Sequence, residues 1–430
     1  MVFYITGSNV FGQWLCDDGV INEFRKFTAN KLDLGKGQAK LVQINWSYNI
    51  FEVDRKFYVT GAWGGKEQQL IEIPVPEECS ASYVELIIIG NDYKILLIGK
   101  NVNKLWVKDL KNNEIKKLQL HVEEPCKDAV KKPKIDNSIV KAEITNESCI
   151  FLTSNGDVYT GILPSYVDTR HCKGKIINVE CGYEHFIILT EEGRVYTWGN
   201  GRLCWKLGHG DICSQEIPTE IDALAGIKII QISAGGWHSL AVSEFGDVYA
   251  WGWNDTGQLG IKNKEGKESY SIPTLLDLYD EKETVVEKNA KNIACGSRHS
   301  AIILEDNTIW TTGCNKYGQL GLAEDKYPTL NYFRKVLNCD IDSSLMCGPW
   351  STGPPIYITG TAQEATNSNC KLASDEIRSN LFQAGCPLGS TVTWSYVRKS
   401  ATGPPAWVKT ALGSCIRVWI IKVRLSSKQP

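Results

Sequence analysis

The chain has 430 residues, and 47 Lys and Arg residues nearly balance 49 Asp and Glu residues, giving a formal net charge of −2. This balance excludes nucleic-acid binding driven by net charge alone, and a hydrophobic content of 43% is ordinary for a chain that buries a core. The 38 glycines and 14 tryptophans favour a β-rich fold with many turns over a helical one.

The cysteines and the first residues indicate a reducing compartment. The 15 cysteines are odd in number and include no C-x-x-C pair, so neither a disulfide ladder nor a zinc ribbon is predicted. The start, MVFYITGSNVFGQW, has no basic segment followed by an apolar one, so we expect no secretory signal. We therefore expect buried, reduced thiols in a protein of the nucleus, the cytoplasm or both.

In chain order, the first elements are half of a repeat unit and then three weak units. Phe3–Gly7, followed by Phe11-Gly12-Gln13, matches the strand and glycine-rich loop that end the clearer units further on. The weak units are Ser47–Val53 with Lys56–Gly61, Tyr93–Gly99 with Lys104–Val107, and Ser148–Thr153 with Asp157–Gly161.

A charged connection, Lys108–Asp136, interrupts the weak units and contains Lys131-Lys132-Pro133-Lys134. This basic run resembles a nuclear-import signal. The alternative is a solvated surface loop, because acidic residues lie nearby in the sequence.

Three clear units follow, and they share a Gly-x-x-His turn, an apolar strand, a hairpin and a strand that ends in glycine. They begin at Cys181, Ala234 and Cys295. Successive units therefore begin 53 and 61 residues apart. A repeat of about 50 residues is typical of propeller blades. Gly193, Gly246 and Asn307 occupy one hairpin position, where the backbone requires a left-handed conformation.

A last unit begins at Cys347–Ser351 and stops after its opening strand signal. The N-terminal half-unit supplies what this last unit lacks, so the two together would close a ring and leave no exposed sheet edge. The sequence therefore predicts an all-β, seven-bladed β-propeller over residues 1–352, with clear repeats in 175–352 and weak repeats in 1–174.

Residues 353–430 have no repeats and form a basic tail with nine Lys and Arg residues against three acidic residues. We predict low order there, because few apolar runs are available for packing. A product of incorrect gene prediction is the other explanation. Trp394, Trp407 and Trp419 lie among the basic residues, which suits nucleic acid, although we expect no such binding by the tail.

The repeat resembles that of the regulator of chromosome condensation family, in the pattern C-G-x-x-H-S, apolar strand, E-x-G, strand ending in W-G, and G-Q-L-G. The resemblance implies a seven-bladed propeller that binds proteins, is not an enzyme and needs no cofactor. It further implies a chromatin-linked scaffold with a partner such as a jumonji-domain oxygenase or a histone. The alternative is guanine-nucleotide exchange on a small GTPase, the activity of the founding relative. That relative has a basic N-terminal extension, which the first residues here do not match.

Histidines recur at one position of the clear units: His185, His238 and His299. Equivalent positions of a ring lie in different blades, so we predict structural residues rather than a metal site. Glycines precede them at Gly182, Gly235 and Gly296, and these are predicted to be structural as well. No catalytic residues and no metal site are predicted.

The residues between glycine and histidine are the candidate binding residues, because they precede equivalent strands and should share one rim of the ring. They are Tyr183, Glu184, Trp237, Arg298 and Trp350. Aromatic and arginine side chains on one rim are good anchors for a protein partner. The alternative is that Trp237 and Trp350 only wedge between blades.

Overall fold

The computed structural model describes residues 2–28, 39–63, 66–76, 86–99, 105–111, 114–118, 138–146, 148–201, 206–262, 268–280, 282–339, 345–353, 355–356, 406–409 and 415–418. The basic run Lys131–Lys134 and most of residues 353–430 lie outside these ranges. By compactness, the chain divides into two units, Met1–Ser368 and Asn369–Pro430.

Six blades of the first unit are four-stranded antiparallel sheets made from consecutive strands. Blade 1 contains β3 (Ala39–Ile44), β4 (Tyr48–Val53), β5 (Lys56–Trp63) and β6 (Lys66–Glu72). Blade 2 contains β7 (Ile87–Gly90), β8 (Lys94–Ile98), β9 (Leu105–Asp109) and β10 (Ile115–Leu118). Blade 3 contains β11 (Ile139–Ile144), β12 (Cys149–Thr153), β13 (Val158–Thr160) and β14 (Ser165–Val167). The second and third strands of these blades coincide with the three weak repeat units.

The clear units form the next three blades. Blade 4 contains β15 (Ile176–Cys181), β16 (His185–Thr190), β17 (Val195–Gly199) and β18 (Gln215–Glu220). Blade 5 contains β19 (Ile229–Ala234), β20 (His238–Ser243), β21 (Val248–Trp253) and β22 (Ser269–Leu275). Blade 6 contains β23 (Ala290–Cys295), β24 (His299–Leu304), β25 (Thr308–Cys314) and β26 (Thr329–Asn338).

Blade 7 is built from both ends of the repeat region, as the sequence predicts. Its strands are β27 (Met346–Gly348) and β28 (Ser351–Gly353), then β1 (Val2–Ser8) and β2 (Val20–Thr28). Thr6 pairs with Thr352 and Gly7 with Ser351, so the N-terminal half-unit completes the blade. A short strand, β29 (Pro355–Ile356), also pairs with β1 and extends this sheet past residue 352.

The seven blades form a closed ring. The first strands of neighbouring blades contact each other from β3 through β7, β11, β15, β19 and β23 to β27, and β27 contacts β3. Seven hydrophobic clusters lie between successive blades, one at each junction. At the junction of blades 5 and 6, for example, Leu240 packs in one cluster with Ile302. Burial between blades therefore stabilises the ring, and the predicted fold class is confirmed.

Two faces of the ring follow from this topology. Loops that join the first strand to the second, and the third to the fourth, lie together on what we call the turn face. Register shows this in blade 4, where His185, at the end of one loop, pairs with Gly199, at the start of the other. The hairpins between second and third strands form the opposite, hairpin face. There Gly193, Gly246 and Asn307 have φ values of 80°, 85° and 59°, as a left-handed turn position requires.

The remaining described elements are few. A short 3₁₀ helix, Asp222–Leu224, follows β18. In the second unit, β30 (Ala406–Lys409) and β31 (Cys415–Val418) form an antiparallel pair. No helix in the described ranges has the length and apolar character that crossing a membrane would require.

Candidate functional site on the turn face

The turn face rests on the repeated glycine and histidine of blades 4 to 6. The imidazoles of His185, His238 and His299 are fully buried. A Cβ at Gly235 would lie 2.2 Å from Cε1 of His238 and 2.6 Å from the carbonyl oxygen of Gly296 in the next blade. Gly182 and Gly296 are equally crowded, so each glycine lets a histidine ring and a neighbouring blade approach the same backbone.

Each histidine also links its blade to the next one. Nε2 lies 3.2 Å from Ser239 Oγ for His185, 2.8 Å from Ser300 Oγ for His238, and 2.9 Å from Thr352 Oγ1 for His299. Two of these hydroxyls then donate back to a loop carbonyl, Ser300 to Gln258 at 2.7 Å and Thr352 to Gln319 at 2.9 Å. Since those two hydroxyls donate to carbonyls, the histidine Nε2–H is the donor to them.

Burial keeps these rings neutral. It lowers the pKa of His185 and His238 to about 3 and that of His299 to about 4. The three rings lie in three different blades, each beside its own hydroxyl. Across the described part of the chain, no group of three or more His, Cys, Asp or Glu residues could hold a metal ion.

Next to this layer, Arg298 packs against the indoles of Trp237 and Trp253, which also meet each other edge to face with centroids 5.1 Å apart. Its Cζ is 5.7 Å from the ring centroid of Trp237 and 5.0 Å from that of Trp253. Nη1 of Arg298 lies 3.0 Å from Oδ2 of Asp255. The side chain of Arg298 is 12% exposed, so cation–π contacts and one ion pair hold the guanidinium in a fixed, largely desolvated position.

Tyr183 completes this set, which we call the tryptophan–arginine cluster: Tyr183, Trp237, Trp253, Asp255 and Arg298. The ring of Tyr183 meets Trp237 edge to face with centroids 4.9 Å apart, and its hydroxyl lies 2.9 Å from Ser297 Oγ. Gly236 makes this possible, because a Cβ there would lie 3.2 Å from the tyrosine ring. Blades 4, 5 and 6 thus contribute to one continuous surface.

Glu184 lies beside the cluster with a partner of its own. The residue has φ of 60°, and its carboxylate accepts a hydrogen bond from Asn200 at 3.1 Å. The fully buried Lys206 donates from Nζ to the carbonyl of Tyr183 at 2.9 Å and lies 3.4 Å from Oε2 of Glu184. This lysine therefore supports the loop from below, and Glu184 partly balances its charge.

Trp350 lies on the turn face in a second group, which we call the aromatic quartet: Phe11, Trp46, Tyr317 and Trp350. Ring centroids are 5.3 Å apart for Trp46 and Tyr317, 5.4 Å for Tyr317 and Trp350, and 6.1 Å for Trp46 and Trp350. Phe11 meets Trp46 edge to face at 5.8 Å. All four side chains are half-buried.

The structure thus places all five predicted rim residues on the turn face, but in two groups. Three of them, Tyr183, Trp237 and Arg298, contact one another directly or through a shared ring. Sequence reasoning missed the contributions of the ends of the third strands and the loops after them, namely Trp253, Asp255 and Tyr317. Each follows the glycine next to the end of a third strand by one to four residues, and this regular offset was the available signal.

The turn face has the chemistry of a protein-binding surface. Half-buried tryptophans and a fixed arginine are the side chains that contribute most to binding at protein interfaces. The charged groups of the cluster and its tyrosine hydroxyl already have partners, so a second protein would cover a surface that needs little rearrangement. The fold and this site together define a β-propeller whose turn face carries a tryptophan–arginine cluster.

Sequence comparison assigns the repeats to a family. Residues 192–242 and 246–303 match the profile described as Regulator of chromosome condensation (RCC1) repeat, and a second profile of that description matches 176–203, 229–258 and 290–319. Residues 176–319 of the chain are thus similar to RCC1 repeats.

Among curated relatives, RCC1 domain-containing protein 1 of Mus musculus is 32% identical over 216 residues, which is 41% of this chain and 55% of that protein. The Homo sapiens protein of the same name is 33% identical over 214 residues, 40% of this chain and 54% of its own length. The chain thus spans about half the length of these two relatives. The ultraviolet-B receptor UVR8 of Arabidopsis thaliana is 35% identical over 150 residues, 35% of this chain and 32% of its own length.

Solved structures agree on the fold. Human WBSCR16 superposes with a TM-score of 0.64 at 13% identity, covering 83% of this chain and all of that one (100%). Prp20p of Saccharomyces cerevisiae, solved in a study of its binding properties to Gsp1p and histones, superposes with a TM-score of 0.62 at 16% identity over 89% of this chain and 94% of its own.

Proposed function

We propose that the protein is a non-enzymatic interaction propeller that binds a protein partner through the tryptophan–arginine cluster. The observation that carries this proposal is the arginine fixed against two half-buried indoles, 5.7 and 5.0 Å from their centroids. An arginine held in this way has already lost much of its side-chain entropy, so a partner gains binding energy without paying to order it.

The proposal extends to a nuclear or cytoplasmic protein with a chromatin-linked role. The likeness to RCC1 domain-containing protein 1 over 41% of this chain supports testing a jumonji-domain oxygenase and histones as first partners. These finer assignments come from the family resemblance, whereas the cluster geometry supports protein binding in general.

The test is affinity capture with three forms of the full chain. Wild type, the double variant Trp237→Ala/Arg298→Ala and the control Phe245→Ala are compared by quantitative mass spectrometry. Phe245 is 71% exposed in the hairpin of the same blade as Trp237, and it lies on the hairpin face. Phe245→Ala therefore also truncates an aromatic side chain, but outside the proposed binding site. We expect the double variant alone to lose a partner. Equal recovery by all three forms would remove the cluster as the binding site.

Nucleotide exchange is tested separately. A small GTPase loaded with a fluorescent guanine nucleotide is mixed with the full chain, and release is followed over time. We expect release at the unassisted rate, and acceleration by the wild type would replace the proposed function with guanine-nucleotide exchange.

A further inference from the structure

The junction between blades 3 and 4 lacks the long loop that follows the third strand in blades 4 to 7. After the third strand of blades 4 to 7, a long loop buries one apolar side chain between blades: Leu207, Leu259, Leu320 and Trp14, at 0 to 2% exposure. In blade 3, β13 ends at Thr160 and β14 begins at Ser165, so only Gly161–Pro164 connects them. Of its apolar side chains, Ile162 packs against the cluster between blades 2 and 3, and Leu163 is exposed.

A cleft of about 350 Å³ is present at that junction and opens on the turn face. Its apolar wall includes Ile162, Leu163 and Phe186, and its polar wall includes Asn146, Ser148 and Thr160. Leu163 is 64% exposed, which is unusual for a leucine next to a blade junction.

The histidine link is missing at the same place. Ser148 occupies the position of His185, and Phe186 occupies the position of the hydroxyl residue Ser239, by strand register. Phe186 instead stacks on Trp198 with centroids 5.1 Å apart. Histidine, hydroxyl and long loop are thus all replaced at the junction of blades 3 and 4, and the cleft lies in the space that they would fill. Blades 1 and 2 likewise have neither the histidine nor the long loop.

Thr160 shows what the cleft is able to bind. Thr197 and Thr311 have the same register position in blades 4 and 6. Each donates from Oγ1 to the carbonyl of the buried leucine, to Leu207 at 2.6 Å and to Leu320 at 2.8 Å. Both threonines are fully buried, whereas Thr160 is half-buried and lines the cleft. Its hydroxyl has no protein partner within the described ranges.

The charge at the mouth of the cleft is negative. Asn146, which lines the cleft, donates from Nδ2 to the carboxylate of Asp92 at 2.7 Å. Neither lysine nor arginine is among the lining residues that the structure describes. A basic group on a bound segment would therefore be favoured over an acidic one.

We propose that this cleft binds an extended segment of a protein partner, with a leucine side chain inserted where the other blades place their own leucine. The carbonyl of that leucine accepts the hydrogen bond from Thr160, and a lysine or arginine nearby in the segment faces Asp92. The inference rests on the proposed function, since it describes part of the partner of the same face.

The probe is a fluorescent peptide, Asn-Lys-Tyr-Gly-Gln-Leu-Gly, which copies residues 315–321 of this chain. Fluorescence anisotropy with the full-length protein measures its dissociation constant. We expect binding that weakens at least about tenfold when the peptide leucine is replaced by alanine, since a buried leucine loses several methylene groups of contact. Replacing the peptide lysine by glutamate should weaken binding as well.

Two protein variants locate the binding. Ser148→Phe fills the cleft and should abolish peptide binding, whereas Thr160→Val removes only the donor and should weaken binding about three- to tenfold. Circular dichroism and the Tm of each variant show whether it is folded, and Thr160→Val keeps the test decisive if Ser148→Phe does not fold. Phe245→Ala should bind like wild type.

Absence of binding at millimolar peptide, equal binding of the leucine and alanine peptides, or binding unchanged by Thr160→Val would each overturn the inference. None of these results affects the proposed function, because partner capture by the Trp237→Ala/Arg298→Ala variant is measured independently of the peptide. Conversely, a peptide that binds the cleft while capture is equal for all forms would leave the cleft assigned and the cluster excluded.

Discussion

Glycine and histidine at one repeat position act together in the turn face. The glycine removes the Cβ that would collide with the imidazole and with the next blade, and the histidine then reaches a hydroxyl across the junction. Neither residue has this role without the other, which explains why a sequence repeat keeps both in register.

Adding one methyl group tests this packing. Gly235→Ala should lower the free energy of unfolding by about 1–3 kcal/mol, because its Cβ would lie 2.2 Å from a buried imidazole carbon. Gly19→Ala is the control, since a Cβ there has nothing within 4 Å, and it should change stability by less than about 0.5 kcal/mol. Urea unfolding of both variants measures the difference. Equal effects would mean that the close approach at Gly235 relaxes without cost.

Acid should destabilise the ring through the same histidines. Their pKa values of about 3 to 4 in the folded chain are below the ordinary value of about 6.5 that the unfolded chain regains. Below about pH 6.5 the unfolded chain binds protons that the folded chain does not bind. The contribution of the neutral histidines to the free energy of unfolding is therefore fully present above that pH. As the pH falls further, the free energy of unfolding decreases by up to about 1.4 kcal/mol per pH unit for each histidine, until the pKa of the folded chain is reached.

Urea unfolding at pH 7, 6 and 5 measures this slope. His238→Gln removes one titrating ring. The free energy of unfolding of this variant should therefore change less steeply with pH than that of the wild type, by up to about 1.4 kcal/mol per pH unit, which corresponds to one proton. A slope identical in the two proteins would show that His238 is not one of the groups that titrate on unfolding.

At the scale of elements, a few residues of blade 7 pair strand β28 with strand β1 and so join the two ends of the repeat region. Thr352 pairs with Thr6, lies next to His299 Nε2 at 2.9 Å and donates to the carbonyl of Gln319 at 2.9 Å. One hydroxyl therefore connects strand β28 to blade 6 twice, at the place where the ring closes.

Thr352→Val keeps the shape and removes the hydroxyl. It should lower the free energy of unfolding by about 1–3 kcal/mol, because a buried imidazole N–H and a buried carbonyl lose their partner. Thr352→Ser restores the hydroxyl and should recover most of that loss. Thermal unfolding followed by circular dichroism compares the three proteins, and a serine variant as unstable as the valine variant would assign the effect to lost packing instead.

The elements also show where sequence reasoning succeeded and where it stopped. Punctuating glycines and the Gly-x-x-His turn predicted the second and third strands of blades 4 to 6, and the half-unit beginning at Phe3 predicted the closure of blade 7. Residues that the third-strand loops bring in, such as Trp253 and Tyr317, were not predicted, because a loop's path depends on packing against the next blade. The cleft in blade 3 was not predicted either, since it arises where a loop is shorter than its equivalents in blades 4 to 7.

At the scale of the whole molecule, the ring divides its chemistry between two faces. The turn face has the tryptophan–arginine cluster, the aromatic quartet and the cleft, whereas the hairpin face exposes isolated apolar residues such as Phe245. Since the core lies between blades, loops on the turn face can vary without loss of the fold, which is how a repeat protein acquires a specific binding surface.

The most direct test of this account is the affinity of the purified partner, once captured, for single variants on the two faces. Surface plasmon resonance would compare wild type, Arg298→Ala and Phe245→Ala, each verified as folded by its Tm. We expect the dissociation constant to rise at least about tenfold for Arg298→Ala, as for a residue that contributes about 1.4 kcal/mol or more, and to stay within about twofold for Phe245→Ala. Unchanged affinity for Arg298→Ala together with a loss for Phe245→Ala would place the partner on the hairpin face and contradict the account.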